Sequence, residues 1–292
     1  MLPDTLAGKF ESSLSVKFNQ VVKILNIRSL SGGSINEAFL LETNAGKYFF
    51  KCNYASRYPG MFEKEAMGLQ LLHEAKEIDV PKVIDYGTTG NHAYIILEYI
   101  DSISKRNDFW EAFGVALARL HKHSSYQFGL DHDNYIGSLY QWNNRHKDWI
   151  TFFIEERLER QLKLAKDSGL FSSSLISQFN NLYNHLPDIF PVEPPSLIHG
   201  DLWSGNYIVG ALGQAVIIDP AVYYGHREMD IGMSRLFGVF GNAFYNAYNQ
   251  EYPMKEGWKE RIDICNLYPL MVHVNLFGSG YVGSVQSIMM KF

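Results

Sequence analysis

A small set of side chains in this sequence has the types and spacing needed for chemistry on a phosphoryl group. Asp201 and Asn206 lie five residues apart in "LIHGDLWSGNYIVG", a tight polar loop between two short apolar runs. Asp219 follows 18 residues after Asp201, where the apolar run "QAVIID" ends. Far upstream, Lys51 closes the run "KYFFK", and Glu65 stands 14 residues later in "MFEKEAMGL". Phosphoryl transfer from ATP requires a cation on the phosphates, oxygen donors for magnesium and a carboxylate beside the acceptor hydroxyl. Asp201 suits the carboxylate role, Asn206 and Asp219 suit the metal, and Lys51 suits the phosphates. An acid on the following helix would aim the lysine, and both Glu65 and its competitor Glu63 lie near one face of it. Gly200, Ser204 and Gly205 are ordinary turn residues. Trp203 is not, and its flat ring two residues past the base suits one wall of an acceptor pocket, where it can cover a sugar or attract an amine.

Each residue also has a plainer role. A lone Lys–Glu pair is usually a surface ion pair, and an aspartate ending a strand is usually a turn or cap residue. His199 reads as structural, holding its loop by hydrogen bonds, and His121 and His123 end a helix, where a cation suits the dipole. Gly32, Gly33 and Ser34 in "LSGGSINEAF" could fold over phosphates through backbone N–H groups, although two glycines alone say little. The order of the set carries the phosphotransfer reading: Lys, Glu, "LEYI", HxD, Asn, Asp. The five-residue step from Asp201 to Asn206 is the separation of base and metal-binding asparagine in kinase catalytic loops.

Positioning these groups takes two kinds of architecture. Through about residue 99 the chain reads as short strands: "SINEAFLLET" and "KYFFKCN" form a hairpin about Asn44–Gly46, and "VPKVIDYGTTGNHAYIILEYI" supplies further antiparallel strands. The stretch "MFEKEAMGLQLLHEAKE" is a helix between them. After Ile100 the apolar spacing becomes helical, as in "FWEAFGVALARLHKH" and "DWITFFIEERLERQLKLAKD". Between these, "YQFGLDHDNYIGSLYQWNN" reads as one long loop. The expected fold is α+β and two-lobed: residues 1–99 an antiparallel-sheet lobe with one helix, residues 100–292 a larger, mainly helical lobe, and a cleft between them.

The composition excludes several classes of partner. The chain has 292 residues, 46% hydrophobic, with 26 Lys plus Arg against 31 Asp plus Glu and no basic block, which argues against nucleic acid. No apolar run is long enough for a membrane span, and the opening "MLPDTLAGKFESS" has no secretory pattern. Cys52 and Cys265 stand far apart, in no disulfide or metal spacing, so a cytoplasmic location is expected.

On "GGSINEAFLLET", "KYFFKCN", "MFEKEAMGLQLL", "GLDHDNYIGSL", "DWITFF", "LIHGDLWSGN", "IIDPAVYYGHREMDI" and "FGSGYVGSV", nearly the whole chain resembles the fructosamine kinase, or ketosamine-3-kinase, family. This is a branch of the aminoglycoside phosphotransferase-like kinases, with a protein-kinase-like fold. The resemblance implies transfer of the ATP γ-phosphate to the 3-hydroxyl of a ketoamine, free or protein-bound, by a monomer or weak dimer. It implies Asp201 as base, Asn206 and Asp219 on Mg2+, Lys51 on the phosphates with Glu65 orienting it, and the backbone of Glu98, Tyr99 and Ile100 on adenine. Trp203, Asn134, Tyr135 and His226 fall to the acceptor. Asp230 is implied to bond catalytic-loop backbone. Where protein kinases place Phe and Gly after the metal aspartate, this chain has Pro220 and Ala221, so no aromatic in–out switch is expected. A kinase of the same fold for choline- or aminoglycoside-like amines, or an inactive binding module, are the other readings. Trp203 argues against the first, and intact Lys51, Asp201, Asn206 and Asp219 against the second.

Overall fold

The computed structural model describes residues 2–30 and 35–292. Its N-terminal part is a five-stranded antiparallel sheet in the order β1 (Ile24–Leu30), β2 (Glu37–Thr43), β3 (Gly46–Tyr54), β5 (His92–Glu98), β4 (Val83–Thr89). The β2–β3 hairpin turns through Asn44 and Ala45, with Thr43 opposite Gly46. Two helices sandwich the sheet. One, α2 (Met61–Ala75), is the helix expected between strands. The other, α1 (Asp4–Phe18), adds to the single helix read from the sequence. It buries Leu6, Phe10 and Leu14, a four-residue repeat that puts one stripe against the outer sheet face.

The two-residue period of the strands decides which face serves the cleft. Tyr48, Phe50 and Cys52 of β3, with Tyr94 and Ile96 of β5, pack on the α1 side. Ala93, Ile95 and Leu97 join the other core, with Phe62, Ala66 and Leu69 of α2. Lys51, between Phe50 and Cys52, therefore faces α2 and the cleft.

The C-terminal part is built on α3 (Phe109–Leu120), the run α4 (Trp149–Phe152), a π-helical turn (Phe153–Leu158) and α5 (Glu159–Asp167), then α6 (Ser173–Ile189), α7 (Glu228–Leu236), α8 (Asn242–Glu251), α9 (Trp258–Phe277) and α10 (Val282–Met289). Gly114 lets α3 and α8 meet backbone to backbone, since a Cβ there would lie 2.2 Å from the Phe244 carbonyl oxygen. Short two-stranded ribbons carry the functional segments: β8 (Ser196–Ile198) with β11 (Tyr223–Gly225), and β9 (Tyr207–Val209) with β10 (Ala215–Ile217). The stretch read as a long loop contains a small hairpin, β6 (Asn134–Ile136) and β7 (Leu139–Gln141), turning at Gly137 with φ +58°. Its polar residues had the look of a loop because they are spent on buried amide hydrogen bonds rather than on solvent. One core runs from Phe62 of α2 through to Met289, so the two parts share packing as well as a cleft. Among the described residues no helix is long and apolar enough to cross a membrane.

Candidate active site

The loop between β8 and β9 is held in shape from beneath. Asp230, fully buried at the start of α7, accepts hydrogen bonds from the backbone N–H groups of His199 (2.7 Å) and Gly200 (2.9 Å). His121 Nε2 meets the same carboxylate at 3.2 Å, and Tyr248 bonds His121 Nδ1 at 2.8 Å. His199 donates from Nε2 to the Ile218 carbonyl (3.0 Å) and accepts the Asp201 N–H at Nδ1 (3.2 Å). Both ring nitrogens are thus used by a neutral imidazole, and burial holds its pKa below the ordinary histidine range. His199 and Asp230 fit their expected structural parts. Gly200 has φ +84°, and a Cβ there would lie 2.1 Å from the Ala221 carbonyl oxygen, so only glycine lets the loop touch the segment after Asp219.

On this base stand the groups facing the cleft. Asn206 donates from Nδ2 to both the backbone oxygen and the Oδ2 of Asp201, each at 2.8 Å. Its Oδ1 is left as a ligand oxygen, and the Asn206 carbonyl accepts the Ile218 N–H at 3.0 Å, which ties this residue to the segment that ends at Asp219. Burial pushes the Asp201 carboxyl well above the usual aspartate range, with the Asn206 hydrogen bond working against the rise. A raised pKa makes the carboxylate a better proton acceptor. Across the cleft, Lys51 Nζ lies 2.8 Å from Glu65 Oε1 and 2.7 Å from Asp219 Oδ1. Burial pulls the Lys51 pKa down, but these two carboxylates outweigh it and keep the ammonium charged. Glu65 is the partner because it points inward from α2, whereas Glu63 is exposed. Asn206 and Asp219 offer hard oxygen donors, the set that magnesium favours. Gly32, Gly33 and Ser34 lie outside the described residues. Glu98, Tyr99 and Ile100 form the half-buried link out of β5, where the Glu98 N–H is taken by the Lys82 carbonyl at 3.0 Å.

The acceptor side needs more revision. Trp203 is half-buried, with its indole folded over Gly205 and edge-on to Phe237 at 6.2 Å between ring centroids. It belongs to an aromatic group that the sequence did not reveal: Phe237 meets His273 at 4.4 Å, and His273 meets Tyr281 at 5.1 Å and Phe277 at 5.4 Å. His273 Nδ1 donates to the Pro269 carbonyl at 2.7 Å, leaving Nε2 as an acceptor, and burial lowers its pKa. In the sequence His273 sits amid the apolar spacing of α9 and reads as core. Trp203 and "FGSGYVGSV", which contains Phe277 and Tyr281, are the parts of this group that the sequence singles out.

Two acceptor assignments do not survive the geometry. His226 is 0% exposed, packed between Trp149 and Phe190, and Glu193 lies 3.8 Å from its Nε2. No substrate reaches it, because the motif that contains it serves the turn into α7. Asn134 is also buried, and its Nδ2 donates to the Val222 carbonyl at 2.8 Å, so its amide serves the fold. Tyr135 lies between these cases. Its hydroxyl donates to the Pro59 carbonyl at 3.0 Å and ties the β6–β7 hairpin to the chain before α2. A cavity of about 880 Å³ between α2, β4 and residues 124–132 touches none of Lys51, Asp201 or Asp219, so the chemistry lies elsewhere.

Comparison with known proteins agrees with this geometry. The chain is 43% identical over 275 residues to the chloroplastic protein-ribulosamine 3-kinase of Arabidopsis thaliana, covering 92% of this chain and 83% of that protein. It is 39% identical over 278 residues to a Synechocystis sp. protein bearing the name probable ketoamine kinase, covering 94% and 93%. A crystal structure from Haemophilus somnus 129PT, classed with the fructosamine-3-kinases, superposes with a TM-score of 0.88 at 31% identity, covering 98% of this chain and 99% of that one. An aminoglycoside phosphotransferase in ternary complex with AMP-PNP and hygromycin B shares the fold alone, with a TM-score of 0.64 at 14% identity, covering 97% and 98%. A sequence model described as fructosamine kinase matches residues 7–292, and the chain is a member of that family.

Proposed function

We propose that this protein is an ATP-dependent kinase that phosphorylates the 3-hydroxyl of ketoamines, the adducts formed when a reducing sugar condenses with an amine and rearranges. The observation that carries the reading is the meeting of Lys51 with both Glu65 and Asp219 across the cleft from the Asp201–Asn206 pair. In this reading residues 1–99 form the ATP-binding lobe and residues 100–292 the catalytic and acceptor lobe. Lys51, fixed by Glu65, holds the phosphates; Gly32, Gly33 and Ser34 cover them; and the backbone of Glu98, Tyr99 and Ile100 takes adenine. Asn206 and Asp219 hold Mg2+, which when bound neutralises charge on the phosphate oxygens. Asp201 orients the acceptor hydroxyl and takes its proton as the oxygen attacks the γ-phosphorus.

Trp203, Phe237, His273 and Tyr281 wall the acceptor, and the His273 Nε2 lone pair serves a hydroxyl or ammonium donor. The product is set up to decompose. Enolisation of the C2 carbonyl toward C1 makes the C3 phosphate allylic, inorganic phosphate departs, and water hydrolyses the resulting imine to free the amine. Such a reaction repairs glycated amines. Cys52 and Cys265 are both buried free thiols, which supports a reducing, cytoplasmic setting. The test is a phosphorylation assay over ribulose-, erythrulose- and fructose-lysine with choline and kanamycin as controls. Turnover confined to the ketoamines is expected, and turnover confined to a control overturns the acceptor assignment.

A further inference from the structure

Asp219 sits in a backbone conformation that a side chain rarely adopts, with φ +54°. A non-glycine residue in this region is strained and persists only where its flanks are held. The upstream flank is held by main chain: Ile218 N–H donates to the Asn206 carbonyl at 3.0 Å. Downstream, Ala221 N–H donates to the His199 carbonyl at 2.9 Å. The next two carbonyls are taken by side chains from the β6–β7 hairpin. Gln141 Nε2 donates to the Ala221 oxygen at 3.1 Å and Asn134 Nδ2 to the Val222 oxygen at 2.8 Å.

The two amides are locked in turn. Gln141 Nε2 also donates to Asn134 Oδ1 at 2.7 Å, and Tyr268 donates its hydroxyl to Gln141 Oε1 at 2.7 Å. Asn143 Nδ2 reaches Asn134 Oδ1 at 3.0 Å, and the fully buried Arg157 reaches Asn143 Oδ1 at 2.7 Å. The Arg157 guanidinium stands 3.9 Å from the centre of the Tyr223 ring, so it is anchored on the same segment two residues further on. A buried chain of amides that begins at a cation and ends on two carbonyls is polarised along its length and resists rotation.

We infer that Asn134 and Gln141 are positioning residues for Asp219, acting through the Ala221 and Val222 carbonyls to hold its carboxylate where a divalent cation is bound. The inference rests on the reading of Asp219 as a metal ligand. It also accounts for Pro220–Ala221 after the aspartate: with no aromatic to swing, the segment is fixed by side chains that reach in from outside it.

The test uses Mn2+ as the probe, its binding to the full-length protein with ATP followed by electron paramagnetic resonance. Gln141→Met and the isosteric Asn134→Asp, whose carboxylate cannot donate to Val222, each weaken Mn2+ by about fivefold, the value of one hydrogen bond. ATP affinity without metal and the ketoamine KM stay within about twofold. Phe179→Leu, a buried change in α6, supplies a comparable loss of melting temperature with no change in Mn2+ binding. Unchanged Mn2+ affinity in the two amide variants, or an equal loss in Phe179→Leu, overturns the inference. Should both amides prove necessary for folding, Tyr268→Phe decides, because it releases only Gln141: a two- to threefold loss supports the clamp, and none overturns it. Asp219→Ala separates the layers, since normal Mn2+ binding in that variant removes the metal assignment itself.

Discussion

The Lys51 ammonium lies 2.7 Å from the Asp219 carboxylate, so the residue assigned to the phosphates is docked on the residue assigned to the metal. In the proposed function, binding of Mg-ATP exchanges this contact for two others, lysine to phosphate and aspartate to cation. Glu65, 2.8 Å from the same nitrogen, keeps Lys51 in place during the exchange.

Removal of Lys51 therefore has two separable effects. Lys51→Met leaves the nearly buried Glu65 without its cation, which costs about 3 kcal/mol of stability, and it strips the phosphates of their partner. In Lys51→Met/Glu65→Gln the melting temperature recovers while kcat/KM for ATP remains at least about a hundredfold down. Recovery of activity along with stability would mean that the pair is only structural.

Asp201→Asn keeps the shape of the loop and removes the proton acceptor. Turnover falls by roughly a hundredfold or more, the usual contribution of a positioned base, while the ATP dissociation constant stays within about twofold. Single-turnover phosphorylation measured beside nucleotide calorimetry checks both halves. A near-normal rate assigns the base elsewhere.

Trp203→Ala raises the ketoamine KM by about tenfold, through loss of the flat ring and its attraction for an amine. The ring also rests on Gly205 and edge-on to Phe237, so stability falls by about 1 kcal/mol. If Trp203→Ala destabilises the protein and ketoamine kinetics are unaltered, the tryptophan packs the loop and the wall lies elsewhere.

Much of the geometry of the candidate site was legible because it depends on order and short spacing. The step from Asp201 to Asn206 survives folding intact as a direct hydrogen bond, and the strand period of "KYFFK" already places Lys51 opposite Phe50 and Cys52. Helix α1 was hidden because its buried stripe of Leu6, Phe10 and Leu14 is diluted by polar neighbours. The aromatic group around Trp203 was hidden for another reason: Trp203, Phe237, His273 and Tyr281 come from four separate segments, and only tertiary packing joins them. Asn134 and His226 misled because a motif can be specific to a family and still serve its core.

His226 supplies the last prediction, because its burial makes stability depend on acid. The ring is sealed between Trp149 and Phe190, and this burial, with help from Arg227 and Arg261, lowers its pKa to about 4 from an ordinary 6.5. Between those values the unfolded chain binds a proton that the folded chain refuses. Stability is therefore complete above pH 6.5 and declines as the pH falls toward 4, by up to about 3 kcal/mol. Glu193 acts in the same direction at lower pH. Arg227 grips it with two hydrogen bonds of 2.7 Å and overcomes the cost of burial, so its pKa lies below the usual 4.5 and its contribution is lost as the pH drops through that region. His226→Asn keeps an acceptor for the Glu228 N–H, which His226 Nδ1 now receives at 3.3 Å, and cannot titrate. Melting temperatures measured at steps from pH 7 to pH 5 fall in the native protein and fall less steeply in His226→Asn, where the buried His121, His199 and His273 still act in the same direction. Equal slopes for the two proteins would move the acid sensitivity to another buried group, with His121 beside Asp230 the next to replace.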